Sequence, residues 1–109
     1  MGQSTILLSN ARRLHQKGDL ASAERLYRQV LAGDPGHAQA ALSLGRLLLE
    51  RSEFTEAAGW LAIATDRRTS DAEALVLLGR CHFSLRRMAE AHRAFELAMR
   101  ADPTSRPAR

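Results

Sequence analysis

The chain has one cysteine, three prolines, one lysine and only 5% aromatic residues in 109 positions. A single cysteine, Cys81, excludes an internal disulfide framework and any zinc site built from several thiolates. The shortage of aromatics argues against an all-β fold, since strands favour aromatic and β-branched side chains. No apolar run approaches the roughly 18 residues a membrane-spanning helix needs. The opening MGQSTILLSNARR has no basic segment before its short apolar patch, so it does not resemble a secretory signal. A chain in the cytoplasm is the expectation. What is present is 45% hydrophobic and 26% charged residues, too apolar for wholesale disorder and suited to one small helical domain. The 16 basic against 12 acidic residues leave a formal charge of +4. Arg106 and Arg109 supply two of those charges, so the rest carries about +2. That is weak support for nucleic acid binding.

Internal repetition organises the rest. Gly45 and Gly79 lie 34 residues apart inside the similar phrases LSLGRLLL and LVLLGRCHF. Ala23, Ala57 and Ala91 recur at the same interval, as do Ala11, Gly45 and Gly79, while Pro35 and Pro103 are separated by twice that distance. Three copies tile the chain as 4–37, 38–71 and 72–105, leaving a short basic tail at 106–109. The expected organisation is therefore one domain over 1–109. Within each copy the apolar spacing is helical. Leu7, Ala11 and Leu14 form one stripe, and Leu20, Ala23, Tyr27 and Val30 form another. Gly18 can end the first helix and Asp19 can cap the second. Ala41, Leu44, Gly45 and Leu48 precede Phe54, Ala57, Leu61 and Ala64 in copy two. Leu75, Leu78, Gly79 and His82 precede Met88, Ala91, Phe95 and Ala98 in copy three. Six helices in three hairpins follow. GDP at Gly33–Pro35 and ADP at Ala101–Pro103 close copies one and three; in copy two Ser70 and Glu73 have the spacing of a capping box.

With small residues at the eighth and twentieth positions of every copy, the chain resembles a tetratricopeptide repeat protein with three repeats. That resemblance implies an all-α fold of three stacked hairpins in a short right-handed superhelix. The family's fourth-position tryptophan is replaced by Leu7, Ala41 and Leu75, and its eleventh-position tyrosine by Leu14, Leu48 and His82. The resemblance also implies a concave groove lined by the first helices. Its fifth positions are Leu8, Leu42 and Val76, its twelfth His15, Leu49 and Phe83, and its ninth Arg12, Arg46 and Arg80. Apolar strips beside an arginine row suit an acidic, partly hydrophobic peptide. Leu8, Leu42, Leu49, Val76, Leu77 and Phe83 are expected to face solvent until a partner covers them. The family's lysine–asparagine clamp for chaperone tails falls on Leu8, Arg12, Ser43, Glu73 and Leu77, none of which matches, so no chaperone-tail clamp is expected.

No convergent set of titratable groups suggests an enzyme, and no cofactor or metal is expected. His82 and His92 with Cys81 lack a fourth ligand; packing of the two histidines against each other is the plainer reading. Trp60 and Tyr27 sit at helical spacing as packing residues. Arg13, at the tenth position where Leu47 and Cys81 face a preceding repeat, fits an N-terminal end of the array. At the other end, Ala94, Leu97, Ala98 and Ala101 are expected to stay partly exposed. Either the chain continues into something longer or it pairs weakly with a second copy through that face. The leading expectation is a non-enzymatic scaffold that binds a protein or peptide partner. The alternative is an N-terminal docking or oligomerisation domain of a larger enzyme, such as a transferase.

Overall fold

The computed structural model describes residues 2–67 and 72–101. Among the described residues it contains six helices and no strand: α1 Gly2–Gln16, α2 Leu20–Gly33, α3 Ala38–Glu50, α4 Phe54–Arg67, α5 Ala72–Ser84 and α6 Met88–Ala101. Six helices fit three repeats, and the fold is an all-α solenoid. Ser70 of the expected capping box, Pro103 and the basic tail lie outside the described residues. No helix among those described is long and apolar enough to cross a membrane.

The three hairpin turns are copies of one device. In the first, the Gly18 amide donates to the His15 carbonyl at 3.0 Å and the Asp19 amide to the Leu14 carbonyl at 2.9 Å. This pair of bonds ends a helix with one residue in the left-handed region. Gly18 supplies it at φ 88°, and Asp19 then accepts from the Ser22 amide at 3.2 Å, as its capping role requires. The same bonds recur at Ser52 and Glu53 and again at Arg86 and Arg87. There the left-handed residues are Ser52 at φ 61° and Arg86 at φ 63°, where an L side chain is strained. Between the first two hairpins, the His37 ring accepts from the Ala40 amide at 3.1 Å and caps α3.

Each hairpin closes over its small residues. Ala11, Ala23 and Ala57 are fully buried, and Ala91 is nearly so. A Cβ added to Gly45 would sit 2.6 Å from Leu61 Cγ, and one on Gly79 would sit 2.6 Å from Phe95 Cε1. Gly45 and Gly79 are thus points of close helix approach, as the repeat spacing predicts. The core is densest in α3, where Ala40, Ala41, Leu44, Leu47 and Leu48 are all fully buried because α3 packs against α4, α2 and, more lightly, both α1 and α5. Cys81 is fully buried at the position that faces the preceding repeat, while Arg13 at the same position of the first repeat is exposed.

Curvature follows from which helices touch. The first helices pack in sequence, α1 with α3 and α3 with α5, whereas among the described residues the backbones of α2, α4 and α6 stay further apart, α2 and α4 being linked through the long side chains of Arg28 and Glu56. The odd-numbered helices therefore lie on the inner side of the stack, and their free faces line the groove.

Candidate functional site

Burial sorts the groove residues into three groups. Leu8, Leu42 and Leu77 are only 5–8% exposed, contrary to the expectation that they face solvent. All three belong to the hydrophobic core cluster, so packing within the stack covers them, whereas Ser9 at the sixth position of the first repeat stays exposed. Leu49 and Val76 are half-buried, and Phe83 is 60% exposed. The apolar strip is thus narrower than the sequence suggested and is concentrated toward the third repeat.

The arginine row divides as well. Arg12 and Arg46 share a cleft of about 340 Å³ with His15, Gln16, Tyr27, Gln39 and Ser43. Arg80 is exposed and does not line it. The wall is built by the first repeat junction: α1 supplies Arg12, His15 and Gln16, α3 supplies Gln39, Ser43 and Arg46, and α2 closes the floor with Tyr27. Gln16 and Gln39 occupy groove positions too, but a neutral amide gives little signal in a single sequence.

The floor is held by a hydrogen-bonded chain. His15 Nε2 lies 2.8 Å from Glu50 Oε2, and its Nδ1 lies 3.3 Å from the Tyr27 hydroxyl. With the proton assigned to Nε2, the ring donates to the carboxylate and its Nδ1 accepts from the phenol. The two rings meet edge to face at 6.1 Å between centroids. Tyr27 is almost fully buried; burial raises its pKa, opposed by the Ser43 hydrogen bond and by the positive charges of Arg12 and Arg46. Tyr27 packs as expected and also orders the cleft.

At the far wall, Arg46 forms an ion pair with Glu73 from the first turn of α5. Both partners are about half exposed, and Arg12 has no ion-pair partner among the described residues. The sequence placed Arg46 and Glu73 in the groove without pairing them. Their contact joins a ninth position to the second position of the following repeat, which only the stacking geometry brings together.

The third repeat departs from expectation at both histidines and at its outer face. The His92 side chain is 77% exposed and lies 3.5 Å from Glu96, so it does not pack into a core edge with His82. Among the described residues, His82 Nδ1 is buried without a hydrogen-bond partner; burial and the nearby Arg87 hold the ring's pKa below its ordinary value. Among the described residues, no cluster of three potential ligands could hold a metal ion. Ala94 and Ala98, expected to remain partly exposed, are buried, because the alanine stripe of α6 packs on α5. Leu97 is 41% exposed and Ala101 half-buried. The open face of α6 is offset from that stripe and carries Met88 and Met99, 51% and 52% exposed. At the positions corresponding to Met99, Leu31 and Thr65 are covered by the next repeat.

A tetratricopeptide repeat model matches residues 8–72, and a second matches residues 72–105. The chain belongs to the tetratricopeptide repeat family. Solved structures with the same fold include the first such domain of Spaghetti (RPAP3) bound to the HSP90 peptide SRMEEVD, at TM-score 0.90 and 18% identity, covering 96% of this chain and 83% of that one. The Arabidopsis OM64 domain is similar at TM-score 0.92 and 18% identity, with 99% and 89% of the two chains covered. MamA is similar at TM-score 0.89 and 28% identity; the match covers 94% of this chain but 57% of MamA. No curated protein sequence matches.

Proposed function

We propose that this tetratricopeptide repeat chain is a non-enzymatic interaction module that receives an acidic, partly apolar peptide segment along its concave groove. The observation that carries this reading is the convergence of Arg12 and Arg46 on one polar cleft, with Leu49, Val76 and Phe83 further along the same inner face. Guanidinium groups grip carboxylates through paired hydrogen bonds, while the apolar strip takes the intervening side chains. That two similar domains, both of RPAP3, hold a peptide rich in acids supports a peptide partner. The chemistry differs here, however. Leu8, Ser43 and Leu77, at three of the chaperone-clamp positions, are buried, and Glu73 would repel a carboxylate. The reading therefore excludes a chaperone-tail clamp and favours an internal acidic segment.

The test is affinity selection from a random peptide display library, followed by binding measurements on the best peptide. Arg46→Glu should weaken that peptide by about 2–5 kcal/mol if the ion pair is desolvated on binding. The same change at the exposed Arg25, on α2, should cost much less. Equal losses at both sites point to general electrostatics and sink the groove reading.

A second reading draws on the open face of α6: the chain docks or oligomerises a larger enzyme. If that face drives association, light scattering shows a mass that rises with concentration, and Met99→Glu abolishes the rise.

A further inference from the structure

We propose that the open face of α6 is a self-association surface, on which a second copy of this chain lays its own α6 antiparallel about a two-fold axis. This pairing deepens the second reading above and rests on it. Three equivalent faces show what such a surface ordinarily does. At the position of Met99, Leu31 and Thr65 are covered by the following hairpin. At the position of Phe95, Tyr27 and Leu61 are almost fully buried, and at that of Met88, Leu20 and Phe54 are half-buried. In the third repeat Met88 and Met99 are exposed and Phe95 is half-buried. The face of α6 is thus a packing surface without a counterpart among the described residues.

The order of residues on that face selects a second copy of itself. Met88, His92, Phe95 and Met99 follow one another at spacings of four, three and four, which puts them on one side of the helix. The stripe reads alike in both directions, with a methionine at each end and two flat rings between. A contact between identical surfaces requires such self-complementarity. Laid antiparallel, Met88 meets Met99 of the second copy, and His92 meets Phe95 of the second copy. Glu96, 3.5 Å from His92 within its own helix, then borders His92 of the second copy, whose ring N–H can donate to it. Arg93 and Arg100 fall outside the stripe, so the seam does not force cations together.

The opposite end of the stack makes a poor occupant. Setting α1 of a second copy on α6, as α3 sits on α2, would carry Arg13 into the slot where Leu47 and Cys81 are fully buried. It would also set Lys17 against His92, at positions where Arg51 meets Glu24 at 2.5 Å in the first junction. A cation buried without a counter-ion is strongly unfavourable. Association therefore closes at two chains instead of growing head to tail. Few apolar side chains meet, so the pair forms only as concentration rises.

The experiment is a dilution series of the whole, isotopically labelled chain, read by light scattering and amide chemical shifts. Mass should climb from one chain toward two and no further, with concentration-dependent shifts centred on Met88, His92, Phe95 and Met99. Mild oxidation of cysteine variants then reads the register; Cys81 is fully buried and does not compete. Antiparallel pairing brings position 88 close to position 99 of the second copy, while the two copies of position 88 lie about 16 Å apart along the axis. A disulfide requires Cα atoms within about 7 Å. Met88→Cys mixed with Met99→Cys should therefore cross-link, and neither variant should do so alone. Both positions are exposed, and circular dichroism confirms that both variants fold. Cross-linking within a single variant, or none in the mixture, overturns the antiparallel pairing. Shifts at α6 together with Ile6, Arg13 and Lys17, and a mass beyond two chains, show head-to-tail growth; that overturns the pairing while the second reading stands. A constant mass, or shifts that spare α6, overturns both.

Discussion

The first and second repeat junctions have the same backbone arrangement and opposite side-chain chemistry. At the first, Arg51 Nη1 lies 2.5 Å from Glu24 Oε1, Arg28 Nη2 lies 2.8 Å from Glu56 Oε2, and His15 joins Glu50 to Tyr27. Moving each residue on by one 34-residue period replaces Glu24 and Arg51 by Ala58 and Leu85, and His15 and Glu50 by Leu49 and Ser84. The second junction is consequently apolar, with Ala58, Leu61, Ala74 and Cys81 buried; among the described residues Arg46–Glu73 is the ion pair that crosses it. The comparison teaches that small residues and the helix period set the stacking geometry. The junction side chains are then free to carry either packing or polar recognition. The polar cleft sits at the junction that chose polarity.

The largest expected effect contrasts the two glycines at which the paired helices lie close. Gly45→Ala drives a methyl into Leu61, which is fully buried and has nowhere to go. Overpacking of this kind costs about 1–3 kcal/mol, more than the roughly 1 kcal/mol that alanine gains over glycine in a helix. Gly79→Ala meets Phe95, which is half-buried and borders the open face of α6, so its ring can swing outward. Thermal unfolding should show the first variant destabilised and the second close to neutral. Equal losses would mean that both hairpins are equally sealed.

A smaller effect concerns alkaline stability. Burial raises the Cys81 thiol from 9.0 to about 11. The folded chain therefore holds that proton more tightly than the unfolded chain does. Its contribution to stability is complete below pH 9.0 and is lost as pH climbs toward about 11. Tyr27 adds to the loss at higher pH, because burial raises its pKa too. Urea midpoints at pH 8 and pH 10.5 should differ less in Cys81→Ala than in wild type. An unchanged difference would assign the whole effect to the first junction.

The smallest effect comes from exchanging the junction chemistry. Glu24→Ala with Arg51→Leu gives the first junction the second junction's residues. Glu24 is 20% and Arg51 32% exposed, so the pair is only partly shielded from water. The double variant should change stability by no more than about 1 kcal/mol while flattening its dependence on salt. A loss of several kcal/mol would show that the ion pair fixes the stacking.

Much of this was legible in the residues. The period located every hairpin, and Gly18 with Asp19 marked the first turn correctly. Ser52 and Arg86 carry no such mark, yet they adopt the same left-handed backbone because the stack imposes it. The groove was only partly readable. Helical spacing assigns a residue to a face, but the inner face is shared between open groove and packed core, and Leu8, Leu42 and Leu77 belong to the core. The outer face of α6 was misplaced for a related reason. Alanines at close spacing mark the contact with α5, and the uncovered side carries Met88 and Met99. Glu73 was visible as an acid in a basic groove; its partner was not, because their contact crosses a repeat boundary.

The central claim is that recognition belongs to the first junction and the inner faces of α1, α3 and α5. The most direct measurement is an amide chemical-shift map of the chain saturated with its best display-selected peptide. The account predicts the largest shifts at Arg12, Gln16, Gln39, Ser43 and Arg46, continuing through Leu49 and Val76 to Phe83. Shifts confined to α2, α4 and α6 would contradict it.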